Sequence, residues 1–405
     1  MRRRAWACSA LLVTTTAVGA QESLLPTTGW GVGSTISAWH FSTPIAQSGG
    51  AVADIAEMAI PFRVRSVFGR WSVDLSGAGA FGAVHTSARP SGSDSDEGDD
   101  GDQVFTIFGP TDVKLRVTGP VVGDNLLVTI GLNLPTGKVG LDGDETTTLQ
   151  AIGAPAVRMP VGSFGTGAGA TLGAIRAFEG DDWAVAVGGS LEQRTEYSPI
   201  ALLLSGGKAE TQVTPGTAAH LTLGLDRALG ESRFSTLLVG DVFSKDQVRF
   251  TGGGTSESNS DFQLGPQVTL TSKIDFGSVS WRESAFAVAA RLRGEFSDST
   301  GAKVSGSSGT YLEASIGGVR GGPEGKGFVV AADARWHSGL KFTDALVGAA
   351  VTAVGVSLGY EAVQSSSTTR FIVHGQYGTF DTGTTSTSGF GVTFGLSIGA
   401  RREAR

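Results

Sequence analysis

The 405-residue chain has a single cysteine, only 17% charged residues and no long apolar run after its N-terminal region. One cysteine cannot form an intrachain disulfide, so the chain is not a disulfide-stabilised scaffold. The absence of later runs of about 20 apolar residues argues against helices that span a membrane. The net charge of −7 argues against a general nucleic-acid-binding protein, and no nucleic-acid partner is expected.

Glycine, by contrast, is abundant. The chain contains 61 glycines, roughly twice the usual share. Glycine is a poor helix former, so this composition argues against a protein built from long helices. The glycines do not follow a Gly-X-Y repeat, which excludes a collagen-like chain.

The N-terminal residues have the pattern of a secretory signal peptide. Arg2, Arg3 and Arg4 are followed by a short, mildly apolar stretch over residues 5–18 and by small residues up to Ala20. This pattern predicts a signal peptide over residues 1–20 that is removed on export. Cys8 lies within the apolar stretch, which does not fit a lipoprotein cleavage site.

The rest of the chain alternates apolar residues with small or polar ones, as strands that have two different faces do. In the last segment, Phe390, Phe394 and Ile398 lie on one face and glycine, serine or threonine on the other. We predict strands near residues 30–44, 52–66, 70–84, 104–118, 124–134, 166–178, 183–196, 217–228, 232–246, 263–276, 279–294, 309–320, 326–338, 346–362, 367–380 and 388–400. Many of them exceed the usual five or six residues of a globular strand, and a tilted membrane strand needs about 9–11.

The pattern predicts an all-β fold, a transmembrane antiparallel up-and-down β-barrel of about 16 strands. Fourteen strands remain an alternative, because Pro61 interrupts the second segment. The expected order is a short periplasmic segment (residues 21–29), the barrel (30–400) and a polar tail (401–405). Closure is expected because open sheet edges would leave unpaired backbone groups in lipid.

The connections between the predicted strands alternate between short and long. The long ones are residues 85–103, 135–165, 197–216, 247–262 and 295–308. Outer-membrane barrels have short periplasmic turns and long outer loops, so this alternation places the N-terminus in the periplasm. An aromatic residue follows five of the short turns, which predicts an interfacial girdle of Trp71, Trp183, Phe234, Phe328 and Phe371. Trp281 also follows a short turn but is out of phase with Phe286, and a β-bulge would restore the alternation.

Charged and polar residues occupy the face of the strands opposite the apolar one. On the inner face of a barrel such residues can select solutes or pair with neighbouring strands. The candidate pore-lining residues are Arg63, Arg65, Asp112, Lys114, Arg116, Glu192, Arg194, Arg291, Arg293, Asp333, Arg335, His337, Arg370 and His374. Their basic excess favours anions if the lumen is open.

The sequence also contains a candidate calcium site and a candidate hydrolase site. Asp94, Asp96 and Asp100 belong to an acidic run that is a candidate calcium site, although the ligand order of an EF-hand is missing. His85 and Ser87 have a His-x-Ser spacing that could belong to a lipid hydrolase, but no orienting partner can be assigned from sequence. No zinc-spaced cluster or phosphate loop is present, so no catalytic residue and no cofactor are expected.

Two adjacent segments carry a family resemblance. Residues 108–116 read Phe-Gly-Pro-Thr-Asp-Val-Lys-Leu-Arg, and residues 131–138 read Gly-Leu-Asn-Leu-Pro-Thr-Gly-Lys. They resemble the Gly-x-x-Asp and Leu-Pro-Thr-Gly segments of the outer-membrane family linked to meta-pathway phenol degradation, a group similar to the long-chain fatty-acid channel superfamily. The resemblance implies a channel for hydrophobic or aromatic compounds.

The chain also departs from that pattern. It ends in the polar residues 401–405, not in the aromatic residue typical of many outer-membrane barrels. Only residues 21–29 precede the first predicted strand, which is too few for an N-terminal plug, so any plug would come from an inward-folded loop such as 135–165.

Taken together, the sequence predicts an outer-membrane channel for passive passage of small molecules, including hydrophobic or aromatic compounds. Its expected partners are outer-membrane lipids, the solute itself and the barrel-assembly machinery. The alternatives are a structural or adhesive barrel and a lipid-acting barrel hydrolase.

Overall fold

The computed structural model describes residues 29–47, 50–87, 102–123, 125–204, 207–252, 258–277, 280–321, 325–341, 343, 345–364 and 366–400. The predicted signal peptide, the polar tail, and Asp94, Asp96 and Asp100 of the candidate calcium site lie outside these ranges. Within them, no helix has the length and hydropathy that a membrane span requires.

The described chain consists almost entirely of strands. They are β1 (Gly29–Gln47), β2 (Gly50–Phe68), β3 (Trp71–Ser87), β4 (Gln103–Pro110), β5 (Val113–Val122), β6 (Leu126–Leu134), β7 (Gly169–Glu179), β8 (Trp183–Arg194), β9 (Tyr197–Leu204), β10 (Gly207–Thr214), β11 (Ala218–Leu229), β12 (Ser232–Phe243), β13 (Asp246–Gly252), β14 (Ser258–Phe262), β15 (Gln267–Asp275), β16 (Trp281–Arg293), β17 (Gly309–Arg320), β18 (Gly325–His337), β19 (Ala350–Val363), β20 (Ser367–Asp381) and β21 (Ser386–Ala400). Helix α1 (Gly143–Ile152) lies between β6 and β7, and a 3-10 turn (Leu346–Gly348) precedes β19.

The main sheet is antiparallel and closes into a barrel, because β1 pairs with β2 on one side and with β21 on the other. Seventeen strands belong to this sheet. β4 and β5 both pair with β3 and form one position in the barrel wall that is interrupted at Thr111 and Asp112. The barrel therefore has sixteen positions, which confirms the predicted number and removes the fourteen-strand alternative.

Two of the predicted long loops contain strands. β9 and β10 lie between β8 and β11, β13 and β14 lie between β12 and β15, and together they form a separate four-stranded sheet. Residues 197–216 and 247–262 were predicted only as long connections, and the strands within them are a feature that the sequence did not predict. Each of these four strands has only five to eight residues, and they pair with one another through the contact of β10 with β13.

Pro61 is accommodated without breaking β2. The pairing of β1 with β2 has a gap between Val32–Phe62 and Thr35–Ala59, whereas Pro61 remains paired with Ala78 of β3. Proline has no backbone N–H, so the ladder loses its regular pairing on one side only.

The outer face of the barrel is apolar at positions such as Ile316 and Leu358, whose exposed fractions are 57% and 51%. Trp71, Trp183, Phe328 and Phe371 of the predicted girdle are exposed beside the short turns. A register shift between Trp281 and Glu283 is the bulge that the sequence required. The short turns use glycines with positive φ, such as Gly69 and Gly230, which the tight turns between twisted strands favour.

The buried core of the protein lies inside the barrel. Side chains from the strands, including Trp39, Phe41 and Phe380, form one apolar cluster with Ile152 and Val157 of the connection between β6 and β7. This connection, residues 135–168, is called the inward loop below. It includes α1 and confirms the expectation that any plug comes from this region.

Candidate functional site: the barrel lumen

The root of the inward loop is held by the carboxylate of Asp112, at the interruption between β4 and β5. One oxygen accepts a hydrogen bond from the backbone N–H of Gly137 at 2.8 Å. The other accepts from the N–H and the hydroxyl of Thr166, at 2.7 and 2.9 Å, and from the amide of Asn133 at 2.9 Å. Asp112 is buried. Three donors of the loop, from Gly137 and Thr166, thus fasten both of its ends to a single side chain, and Asn133 of β6 adds a fourth hydrogen bond.

Asp112 was predicted to line the pore, and this expectation needs correction. Its carboxylate is filled by donors of the inward loop, so it anchors the loop instead of facing solute. Alternation places Asp112 in phase with Lys114 and Arg116, but it gives no information about the donors that a distant part of the chain brings to the carboxylate.

The two segments that carry the family resemblance meet at this root. The hydroxyl of Thr136 accepts from the N–H of Val113 at 2.9 Å, and the N–H of Lys138 donates to the carbonyl of Pro110 at 3.1 Å. A Cβ on Gly137 would lie 2.6 Å from the Cα of Gly165, so the two arms of the loop cross where glycine is required.

Helix α1 is fixed in the lumen by capping and by packing. The side chain of Asp142 accepts from the N–H of Glu145 in a capping box, and Glu145 also forms an ion pair with Lys138. Ile152 is buried at the end of the helix. A Cβ on Gly82 of β3 would lie 3.1–3.3 Å from side chains of Ile107, Thr148 and Ile152, so glycine leaves the space in which the helix packs.

Beyond the helix, the loop makes polar contacts with the barrel wall. The indole N–H of Trp39 donates to the carbonyl of Val157 at 3.0 Å, and the buried carboxyl of Glu57 accepts from the N–H of Val161 at 2.7 Å. Between them, Arg158 has a φ of 53°, and it is the only non-glycine residue with positive φ in the described ranges. This backbone conformation is rare for residues with a side chain, and here it accompanies a contact across the lumen.

Arg158 reaches the wall formed by β16, β17 and β18. Its guanidinium forms an ion pair with Glu313 at 2.6 Å. The other carboxylate oxygen of Glu313 accepts from the hydroxyl of Tyr311 at 2.7 Å. The inward loop is therefore attached to the near wall through Trp39 and Glu57 and to the far wall through this ion pair, which makes it a constriction.

Arg335 lies beside this ion pair without an acceptor of its own. It is directly opposite Glu313 in the pairing of β17 with β18, yet Glu313 is bonded to Arg158 and Tyr311. Arg335 is 4% exposed, and all three of its side-chain nitrogens are buried without a hydrogen-bond partner among the described residues. Its guanidinium lies 5.5 Å from the ring of Trp39. The far wall thus holds an unpaired cation beside an aromatic ring.

The short-turn end of the lumen carries a paired charge network. Arg282 of β16 reaches past two strands to Glu361 of β19 at 2.7 Å, and Glu361 also pairs with Arg370. Arg370 in turn lies 3.4 Å from Glu283. A cavity of about 340 Å³ is lined by Arg282, Glu283 and Arg370 together with residues of β15, β17 and β18.

The other predicted pore-lining residues alternate with the exposed apolar positions and so lie on the inner face. Some pair within the wall: Glu192 with Arg194, and His374 with Ser357 at 2.9 Å and with Asp333 at 3.6 Å. Arg63 pairs with Asp74 at 2.6 Å. Arg65, Lys114, Arg116, Arg291, Arg293 and His337 lie on the same face.

Sequence reasoning missed Arg158, Glu57 and Arg282. The alternation along β2 could have found Glu57, because it shares a face with Arg63 and Arg65. Arg282 lies at the bulge of β16, where the period shifts. Arg158 belongs to a loop, where no periodic signal exists.

The proposed hydrolase residue His85 has different partners from those such an enzyme needs. Its Nδ1 lies 2.8 Å from Asp54, which also contacts His40, and its Nε2 lies 3.6 Å from Asp102. A nucleophilic serine must reach the ring nitrogen that the carboxylate does not hold. Here both nitrogens face carboxylates, so the arrangement does not favour the hydrolase.

Comparisons with known proteins find likeness only among solved structures. No family model matches the chain, and no curated protein matches it. OpdK of Pseudomonas aeruginosa, solved with vanillate, is similar at 10% identity and a TM-score of 0.40, over 91% of this chain and 98% of that one. The monoaromatic hydrocarbon channel CymD is similar at 9% identity and 0.39, over 93% and 89%. An outer membrane channel of Pseudomonas putida F1 is similar at 12% identity and 0.33, over 96% and 99%.

Proposed function

We propose that this protein is an outer-membrane channel for the passive passage of small molecules, including hydrophobic or aromatic compounds. The observation that carries the proposal is the closed sixteen-position barrel, apolar outside and charged inside, with a loop fastened across its lumen. A barrel of this size leaves an aqueous channel unless loops fill it. Here the inward loop fills one side and narrows the remainder.

The location follows from the outer surface. Apolar side chains cover the outward positions of the barrel strands. Examples are Phe394, Leu396 and Ile398 of β21 and Leu358 of β19. A closed barrel satisfies every backbone group of the wall within lipid. Under this proposal the partners are outer-membrane lipids, the solute and the barrel-assembly machinery, and the leader over residues 1–20 directs export.

In this mechanism no bond is made or broken. A solute enters from the long-loop end, passes between the inward loop and the far wall, and leaves past the network of Arg282, Glu361 and Arg370. The contact of Arg158 with Glu313 limits the size of what passes. The charged side chains of the wall select for the sign of the solute's charge.

We also propose membership in the outer-membrane family linked to meta-pathway phenol degradation. The support is that its two characteristic segments are joined in space, since Asp112 of the first binds the N–H of Gly137 of the second. In this arrangement both segments help to anchor the inward loop.

The test is a swelling assay on liposomes that contain the refolded protein, with arabinose as the uncharged solute. Resistance of the folded barrel to detergent at low temperature, seen as faster migration on a gel, first establishes correct folding. We expect arabinose to enter protein-containing liposomes faster than empty ones, and faster still when residues 139–163 are replaced by a short Gly-Ser linker. Equal swelling of all three would contradict a channel.

A further inference from the structure

We propose that the centre of the lumen is a binding site for an organic monocarboxylate, with Arg335 as its principal contact. The proposal deepens the channel function and rests on it for its biological role. What it adds is the chemical class of one solute and the residue that selects it.

The first observation is that the buried guanidinium of Arg335 has no hydrogen-bond acceptor among the described residues. A guanidinium has five N–H donors and carries a permanent charge. Burying such a charge without an acceptor is expensive, and buried charges in proteins are normally paired. Arg335 is 4% exposed and has no hydrogen-bond partner on any nitrogen among the described residues. The site therefore lacks an acceptor in the absence of solute.

The second observation is why the wall cannot supply that acceptor. Glu313 is opposite Arg335 across the strands, but it is bonded to Arg158 and Tyr311. Asp333, two residues along β18, faces His374 instead. Neither carboxylate of the wall therefore makes a hydrogen bond to Arg335.

The third observation is a surplus of cations around the same point. The guanidinium carbons of Arg158 and Arg291 lie 5.9 and 6.0 Å from the ring centre of Tyr311. The Nε of Arg291 is also buried without a partner among the described residues. Three guanidiniums thus lie near two carboxylates of the wall: those of Arg158 and Arg335 interact with both Glu313 and Asp333, and that of Arg291 lies close to Arg158. An incoming anion would reduce this excess of positive charge.

The nature of the anion follows from the geometry of the donors and their neighbours. The planar fork of arginine matches a carboxylate through two parallel hydrogen bonds. On its other side the guanidinium of Arg335 faces the ring of Trp39, which stacks edge-on with Phe380 at 5.2 Å. Trp39 and Phe380 are buried, and Trp39 is bonded to Val157 of the inward loop, so a small apolar or aromatic group on the carboxylate contacts these rings only when the loop shifts.

Access to the site is linked to the inward loop. The nitrogens of Arg335 are covered in the present arrangement, so an anion reaches them when Arg158 moves aside. The incoming carboxylate and Glu313 then share the guanidiniums of Arg158 and Arg335. Carboxylate binding thus loosens the constriction that the ion pair of Arg158 and Glu313 forms.

The test is equilibrium dialysis of radiolabelled benzoate against the folded protein in detergent micelles, with empty micelles as the blank. We expect saturable binding that acetate competes for and benzyl alcohol does not. Arg335→Gln should weaken it about tenfold or more, the loss expected for a charge-assisted hydrogen bond. Arg335→Lys keeps the charge but loses the fork, so its binding should fall between the two.

The matched control is Arg233→Gln, which removes an arginine already paired with Asp226 at 2.6 Å. We expect this variant to bind benzoate as the parent does. Absence of saturable binding, equal binding by Arg335→Gln, or competition by chloride as strong as by acetate would overturn the carboxylate site. Arabinose swelling is measured on the same preparations. Swelling without benzoate binding removes the site and keeps the channel, whereas binding without swelling does the reverse.

Discussion

Replacement of Asp112 by alanine should release the inward loop while leaving the barrel folded. The carboxylate of Asp112 accepts four hydrogen bonds, two of them from the backbone N–H groups of Gly137 and Thr166. Without it the partly buried N–H groups of Gly137 and Thr166 lose their acceptor, at about 1–3 kcal/mol each, whereas Asn133 keeps its bond to the carbonyl of Gly167. Only the bond from Asn133 involves a barrel strand, β6, and the backbone ladders of the sixteen-position sheet stay intact, so the barrel should keep most of its own stability.

The Asp112→Ala substitution shifts the equilibrium between the docked and the released loop. A net loss of about 3 kcal/mol raises the ratio of released to docked loop about 150-fold. Asp112→Asn is the conservative variant, because an amide still accepts on one oxygen but places an NH2 group against at least one donor. We expect it to release the loop less than Asp112→Ala does.

Trypsin provides the assay, because Lys138 and Arg158 lie in the inward loop. We expect cleavage at these residues to be faster in Asp112→Ala than in the parent, with Asp112→Asn between them, and single-channel conductance to rise in the same order. The fast-migrating folded form on a gel shows that the barrel is intact. Parental rates of cleavage and parental conductance in folded Asp112→Ala would refute the anchoring role of this carboxylate.

Three further predictions concern separate contacts. Arg158→Ala removes a partly exposed ion pair worth about 1 kcal/mol, so the open fraction in single-channel records should rise about fivefold; an unchanged fraction would contradict the constriction. Gly82→Val should displace α1 and speed tryptic cleavage of the inward loop. Gly79→Val on the same strand is the control, because a Cβ there meets open space, and it should leave the cleavage rate unchanged. Equal cleavage rates for the two variants would contradict the packing of α1 against Gly82. Glu361→Gln leaves two arginines with a neutral partner and should lower the free energy of unfolding in urea by about 3 kcal/mol; an unchanged midpoint would show that the network is not stabilising.

The sequence was sufficient for the barrel because membrane strands must alternate over their whole length. Phe394, Leu396 and Ile398 face outward while the residues between them are small, and the same alternation of exposed and buried positions runs along β19. The short turns and the interfacial aromatics predict that the N-terminus lies in the periplasm, and this orientation stays a prediction. Pro61 left open whether the second segment is a strand. In the structure it is one, because Pro61 interrupts the pairing with β1 but not the pairing with β3.

The sequence was insufficient wherever a contact depends on the path of a loop. Asp112 follows the period of its strand in sequence, and nothing local shows that Gly137 and Thr166 approach its carboxylate. Residues 135–165 were named as one loop that could supply a plug because residues 21–29 are too few to form one, and nothing in the sequence showed that this loop folds inward. The meeting of Arg158 with Glu313 joins residues 155 positions apart, and such pairs have no periodic signature.

The most direct test of the channel is the conductance of the refolded protein in a planar bilayer, compared with the variant in which residues 139–163 are replaced by a short linker. We expect discrete ohmic steps for the parent and larger steps for the variant, because the inward loop narrows the barrel without closing it. Confirmed insertion of both proteins with no current through either would show that the protein is not an open channel.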